Sequence, residues 1–170
     1  GRSPEKRYTL HLGNTAQIAT YVPKLSLRGE KFTQQALPGP VTVVFELDAL
    51  SLTRVKTQQH PDVIRYLYPD NTLGIRCPDH PAASAILSRA RCPVVAPSAN
   101  PAGKPPATTG DEAVDYFDGV LDAIVVSPKH KTYQKSSTVV KIGKTNVQVL
   151  REGAVAAEQI LKMTTIYILF

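Results

Sequence analysis

The run Val41-Thr42-Val43-Val44-Phe45-Glu46-Leu47, entered through Pro38-Gly39-Pro40, sets the narrowest limit on the fold. Its β-branched and aromatic residues favour a pleated strand. An almost unbroken apolar run of that length is what a strand buried on both faces carries. The prolines before it stop any helix, so the strand starts at a sharp boundary. Such a strand needs a layer packed on each side, which favours an α/β architecture.

The rest of the chain supplies those layers. Tyr8 to Leu12 alternates as a strand, and Asn14 or Thr15 can cap a short helix ending at Tyr21, before Pro23. Leu25 to Leu37 is helical in composition, and His60-Pro61-Asp62 opens a short helix through Tyr66 or Leu67. Thr72 to Arg76 reads as a strand, Pro78 to Pro81 as the cap of a helix through Arg89, and Val94-Val95-Ala96 as a third buried strand. Pro101 to Thr109 is a loop, after which Thr109 or Asp111 caps a helix through Phe117. Ile124 to Val126, Thr138 to Ile142 and Val147 to Leu150 read as strands, and Ala156 to Lys162 as a last helix. Alternating helices and strands in a chain of this length predict one three-layer α/β domain without an internal repeat.

Charge narrows the function. A formal net charge of +6 attracts phosphate on a nucleotide or on RNA, although scattered cations also make a merely basic surface. Cys77 and Cys92 form no C-x-x-C pair, so a disulfide framework or zinc site is not expected and a reducing cytoplasm is. No window approaches the roughly 20 apolar residues of a membrane span, so no membrane partner is expected. The sequence contains no G-x-x-x-x-G-K-[ST], G-x-G-x-x-G or G-x-S-x-G run. His11, His60, His80 and His130 lack ligand spacing and read as exposed or capping residues. The acidic residues form no metal-holding cluster, so Mg²⁺ would arrive with nucleotide phosphates.

Five stretches look unlike packing material. Val94 to Asn100 is an apolar strand that delivers Ser98 and Asn100 to its C-terminal end, where ligands bind in open α/β sheets. A simple β-turn explains the same residues equally well. Arg76, before Pro78, has the planar fork that holds a carboxylate or phosphate, but it also suits a surface salt bridge. Pro38-Gly39-Pro40-Val41-Thr42 is structural first. Ser136-Ser137-Thr138 is an ordinary hydroxyl-rich loop unless its context says otherwise, and Arg151 before Gly153 binds phosphate or solvates a strand end.

Taken in order, these stretches are more telling. Pro38-Gly39-Pro40-Val41-Thr42, Gly74-Ile75-Arg76-Cys77-Pro78, Ala96-Pro97-Ser98-Ala99-Asn100 with Gly103-Lys104-Pro105-Pro106, Ser136-Ser137-Thr138-Val139 and Leu150-Arg151-Glu152-Gly153 resemble the YrdC-like family of threonylcarbamoyl-AMP synthases. The resemblance covers residues 1–162. It implies a three-layer fold around a twisted mixed sheet, with helices on both faces and a large concave cavity. It also implies a nucleotidyltransferase that condenses L-threonine, bicarbonate and ATP to threonylcarbamoyl-adenylate, releasing pyrophosphate, for the t6A modification of tRNA. The implied ATP contacts are Arg2, Thr72, Ser98, Asn100 and Arg151. The implied threonine contacts are Arg76, through the carboxylate, Ala96 through its backbone, and Ser137. No covalent nucleophile or resident metal is implied. Catalysis would be positioning plus charge neutralisation, with a carbamate attacking the α-phosphate.

Departures from the family pattern carry expectations of their own. The family's P-T-[DE]-T-x-Y-G-L segment and the Lys of its K-x-R motif would fall before Gly1, so a domain incomplete at its N-terminus and less than full activity are expected. Arg7 stands where the family usually has Pro, and Ser136 where an acidic residue is common. Residues 163–170 are expected to open a second domain or form a terminal strand. Their Ile166-Tyr167-Ile168-Leu169-Phe170 run resembles the first strand of low-molecular-weight protein tyrosine phosphatases. Two other functions fit the same features: a module binding structured RNA such as tRNA, or a carbamoyl-transfer domain using carbamoyl phosphate. The lack of a basic stripe interleaved with stacking aromatics counts against the first.

Overall fold

The computed structural model describes residues 7–126, 135–143 and 146–164. Arg2, the C-terminal run from Ile166 to Phe170 and His130 lie outside the described residues. Among the described residues six strands form one mixed sheet: β1 (Thr9–His11), β2 (Val41–Glu46), β3 (Thr72–Arg76), β4 (Val94–Val95), β5 (Thr138–Ile142) and β6 (Val147–Arg151). Their spatial order is β4-β1-β3-β2-β5-β6. β1–β3 and β2–β5 pair in parallel, whereas the other three pairings are antiparallel. The mixed α/β architecture expected from the sequence is therefore present.

Strand alternation splits the sheet into two unlike faces. Leu10, Val41, Val43, Phe45, Leu73, Ile75, Val140 and Ile142 are buried and belong to one apolar core. That core is covered by α1 (Ile18–Tyr21), α2 (Leu27–Ala36), α3 (Ala49–Gln58), α4 (Pro61–Leu67) and α7 (Ala157–Thr164), which contribute Ile18, Phe32, Val55, Leu67 and Ile160 to it. The intervening strand residues turn the other way and form the floor of a cavity. β2 is central, as expected, but it is not buried on both faces throughout. Val44 is half-buried and lines that cavity, and Glu46 at the strand end is exposed.

Helix starts follow local hydrogen-bond chemistry. Asn14 and Gln17 form a reciprocal capping box ahead of α1, Ser26 accepts from the Gly29 N–H, and Asp48 accepts from the Ser51 N–H. His60 and His80 serve as N-cap acceptors for α4 and for α5 (Pro81–Arg89), so two of the four histidines are capping residues. Thr109 and Glu112 close a second capping box on α6 (Gly110–Phe117).

Two expected strands differ from the sequence reading. Val94-Val95-Ala96 is not a buried strand: β4 has two residues, lies at the sheet edge beside β1, and leaves Val95 exposed. Ile124 to Val126 is not a strand; Val125 and Val126 are exposed. Both runs are β-branched, but among the described residues β4 is paired on one side only and 124–126 not at all, and propensity alone does not make a ladder. Met163 and Thr164, expected to begin a terminal unit, complete α7.

Candidate functional site

Because β-strand side chains alternate, a polar residue between two core residues must face the opposite side. In β1, Thr9 and His11 flank buried Leu10. In β3, Thr72, Gly74 and Arg76 flank Leu73 and Ile75. In β5, Val139 and Lys141 flank Val140. The registers then bring these residues side by side. His11 lies beside Arg76, Thr42 beside Val139, and Val139 beside Arg151. One step along the strands, Thr9 adjoins Gly74, Gly74 adjoins Val44, and Val44 adjoins Lys141. The result is a cavity of about 870 Å³ whose floor is the polar face of the sheet. That volume lies within the range of sites that enclose small molecules and cofactors.

Of the eight site residues expected from the sequence, Thr72, Arg76, Ala96, Ser98, Ser137 and Arg151 line this cavity together. They come from β3, the segment after β4, the approach to β5, and β6, which are far apart in the chain. Arg2 lies outside the described residues. Asn100 is not among the lining residues: its Nδ2 donates to the Pro101 and Lys104 carbonyls at 3.0 and 2.9 Å, tying down the turn that contains Gly103. Its Oδ1 is buried with no hydrogen-bond partner among the described residues.

The β5–β6 corner is the most tightly organised part. Ser137 is buried and its Oγ lies 2.9 Å from Thr42 Oγ1. Arg151 Nη2 donates to the Ser137 carbonyl at 2.8 Å. Thr138 is fully buried; its hydroxyl donates to the Val155 carbonyl and accepts from the Gly153 and Val155 N–H groups. A Cβ on Gly153 would stand 2.2 Å from the Ser136 carbonyl oxygen, so the R-x-G spacing reflects two backbones in close approach. The β5–β6 register is irregular between Val139 and Val140.

Further residues join the cavity lining, some of them by alternation alone. His11 was read as bland, yet it lines the cavity beside Arg76. Its Nδ1 donates to the Thr9 carbonyl at 3.1 Å, since a carbonyl can only accept. Burial holds its pKa below the ordinary histidine range; the Thr9 bond opposes that shift and the Arg76 charge adds to it. The neutral ring with a protonated Nδ1 presents Nε2 as an acceptor. Arg7, Thr9, Thr42, Asp70 and Lys141 also line the cavity. The available signal was a polar residue at every second position in several strands of one sheet. Among the described lining residues, four cationic side chains against the single carboxylate of Asp70 make the wall suited to a polyanion. No group of three His, Cys, Asp or Glu that could hold a metal occurs among the described residues.

The Sua5/YciO/YrdC family model, described as telomere recombination, matches residues 1–153. A threonylcarbamoyl-AMP synthase of Cellvibrio japonicus is 33% identical over 123 residues, covering 72% of this chain and 59% of that protein. The threonylcarbamoyl-AMP synthase of Bacillus subtilis is 28% identical over 162 residues, covering 94% of this chain and 43% of that protein. The crystal structure of Pyrococcus abyssi Sua5 complexed with L-threonine superposes with a TM-score of 0.71 at 24% identity, over 96% of this chain and 44% of that one. The chain thus spans about half the length of the curated relatives it matches. No helix among the described residues is long and apolar enough to cross a membrane.

Proposed function

The chain belongs to the Sua5/YciO/YrdC family, and from that premise we propose that it carries the substrate cavity of a threonylcarbamoyl-AMP synthase. The substrates in this reading are L-threonine, bicarbonate and ATP. The products are threonylcarbamoyl-adenylate and pyrophosphate, and the adenylate feeds the t6A modification of tRNA in the cytoplasm. The observation that carries the reading is the gathering of Arg76, Arg151, Ser137 and the Ala96 to Ser98 strand end around one cavity. Threonine in the Pyrococcus abyssi Sua5 crystal supports that amino acid as the ligand here.

The chemistry asks for positioning more than for a reactive side chain. The threonine amine adds to the bicarbonate carbon with loss of water, giving a carbamate. A carbamate oxygen then attacks the α-phosphorus, and the bond to the β-phosphate oxygen breaks as pyrophosphate leaves. Arg76 offers a two-pronged donor to the amino-acid carboxylate, and Ser137, held by Thr42, faces the same end. Arg151 stands where cationic charge offsets the phosphates. Gly74 keeps the centre of the floor low: a Cβ there would meet Thr9 and Thr42 only at ordinary contact distance and would project into the cavity. Mg²⁺ would enter as part of the nucleotide, neutralising its phosphates.

Calorimetric titration with L-threonine and with Mg-ATP tests the reading. Both should bind the parent chain, and Arg76→Ala should lose threonine by at least about tenfold, the scale of a charge-assisted bidentate contact. Unchanged threonine affinity in that variant would remove Arg76 from the carboxylate site.

A further inference from the structure

At the β3 entrance to the cavity the Thr72 hydroxyl is committed on both sides. It donates to the Pro69 carbonyl at 3.0 Å and accepts from Arg7 Nη1 at 2.8 Å. A hydroxyl has one proton, so an arriving phosphate oxygen finds no free donor on Thr72. It finds the Arg7 guanidinium instead. Arg7 Nη2 bonds the Asp70 carboxylate, in a pair whose side chains are both largely exposed. Asp70 and Asn71 occupy two successive left-handed conformations, with φ of 52° and 57°. Asp and Asn tolerate that region better than other non-glycine residues, though still at a cost. The turn aims the Asp70 carboxylate at Arg7, and Arg7, Pro69, Asp70 and Thr72 all line the cavity.

We propose that Arg7 is the phosphate-contacting residue at this corner, that Thr72 positions it, and that Asp70 is a built-in competitor which a nucleoside polyphosphate must displace. The proposal rests on the nucleotide reading above and concerns one corner of that site. Three physical points support it. An exposed ion pair is worth little by itself, so exchanging the Asp70 carboxylate for a phosphate oxygen is cheap. The guanidinium has five donors, and the two contacts described leave others for phosphate. Among the described lining residues Asp70 is the one carboxylate beside four cationic side chains, so its charge works directly against a polyphosphate. The arrangement favours ligands with more phosphate charge: a monophosphate repays the loss of the Asp70 contact less well than a triphosphate does.

The test is titration of the parent chain, Arg7→Gln, Arg7→Lys and Asp70→Asn with Mg-ATP, ADP, AMP and L-threonine. Asn suits the left-handed backbone at position 70, so Asp70→Asn removes the charge while keeping the turn. Arg7→Gln is expected to weaken ATP by about tenfold, the scale of one charged hydrogen bond, with threonine unchanged. Arg7→Lys should recover only part of the loss, because an ammonium cannot bridge Thr72 and a phosphate as the fork does. Asp70→Asn should tighten ATP severalfold and AMP less. Equal ATP affinity in the parent and Arg7→Gln, or weaker ATP binding in Asp70→Asn, overturns the proposal while leaving the nucleotide reading intact. A parent chain that binds threonine but no nucleotide overturns both.

Discussion

The two stretches that build the cavity are held in very different ways. The floor comes from strands whose other face is packed into a core, and fully buried Leu10, Val43, Leu73, Ile75 and Val140 lie directly beneath it. The wall around Ala96 to Ser98 belongs to a stretch in which no residue from position 78 to 126 is buried. α5 and α6 have no buried residue, and Ile86, Val95, Val120, Leu121 and Val125 stand exposed. One half of the site is thus pre-organised by packing. The other is held by caps and turn hydrogen bonds, such as Ala107 N–H to the Ala99 carbonyl at 2.8 Å and the Asn100 amide contacts. Regions with few buried contacts open most easily, so substrate would meet a rigid floor and a compliant wall.

The contrast is broken most directly by truncating an apolar residue in each half. Phe32 on α2 is fully buried beneath the floor. Phe32→Ala should cost about 3–5 kcal/mol, a large share of the stability of a domain this size. Val120→Ala, at a residue 72% exposed, should stay within about 0.5 kcal/mol. Urea midpoints of the two variants measure the difference, and equal losses would mean that the 78–126 stretch has its own packed core.

A smaller effect separates packing from polar organisation within the rigid half. Thr138→Val keeps the shape of a fully buried side chain but removes the hydroxyl that joins Gly153 and Val155 to β5. Leaving those partners unsatisfied should cost about 1–3 kcal/mol. Because Arg151 is anchored two residues before Gly153, anion affinity should fall with stability. A stability loss with unchanged affinity would show that Arg151 is held by its own bond to Ser137 alone.

The cysteines report the same division without altering the fold. Cys77 closes the rigid half; it is buried, and burial pushes its thiol pKa up to about 11. Cys92 lies in the loosely packed half and is exposed. Near pH 8 a thiol reagent should modify Cys92 rapidly and Cys77 only after unfolding, because the thiolate is the reactive form. Two fast thiols in the native protein would place an opening through the core side of β3.

Much of this was legible in the sequence, and the failures have separate physical causes. Helix starts at His60, His80 and Thr109 follow from side chains acting on backbone a few residues away, which a local pattern can register, whereas the Asp48 cap and the helix Ala49–Gln58 behind it were not read from the sequence. The grouping of Thr72, Arg76, Ser98, Ser137 and Arg151 also emerged, but from the order of motifs, because no local pattern reveals which strands become neighbours. Val94 to Ala96 and Ile124 to Val126 were misread because strand propensity reveals neither whether a strand lies at a sheet edge nor whether a run pairs at all. Asn100 carried the right chemistry for a ligand, yet its donors are spent on the loop that follows it. His11 escaped for the opposite reason: its significance lies entirely in the parallel β1–β3 register that sets it beside Arg76.

That register gives the last and smallest test. His11 is held neutral by burial and by the Arg76 charge, against the Thr9 hydrogen bond, so its folded-state pKa lies below the unfolded value. The unfolded chain therefore binds the proton more readily, and stability rises with pH through this window. The contribution is fully present above the ordinary histidine pKa and is lost as pH falls from there toward the folded value. Melting temperature should decline between neutral and mildly acidic pH, and His11→Gln should flatten that slope while leaving the melting temperature above neutrality little changed. Arg76→Ala should flatten it only in part, because burial is the larger cause and Arg76 the smaller. A slope indifferent to His11 would place its ring outside the rigid floor, on the compliant side of the site.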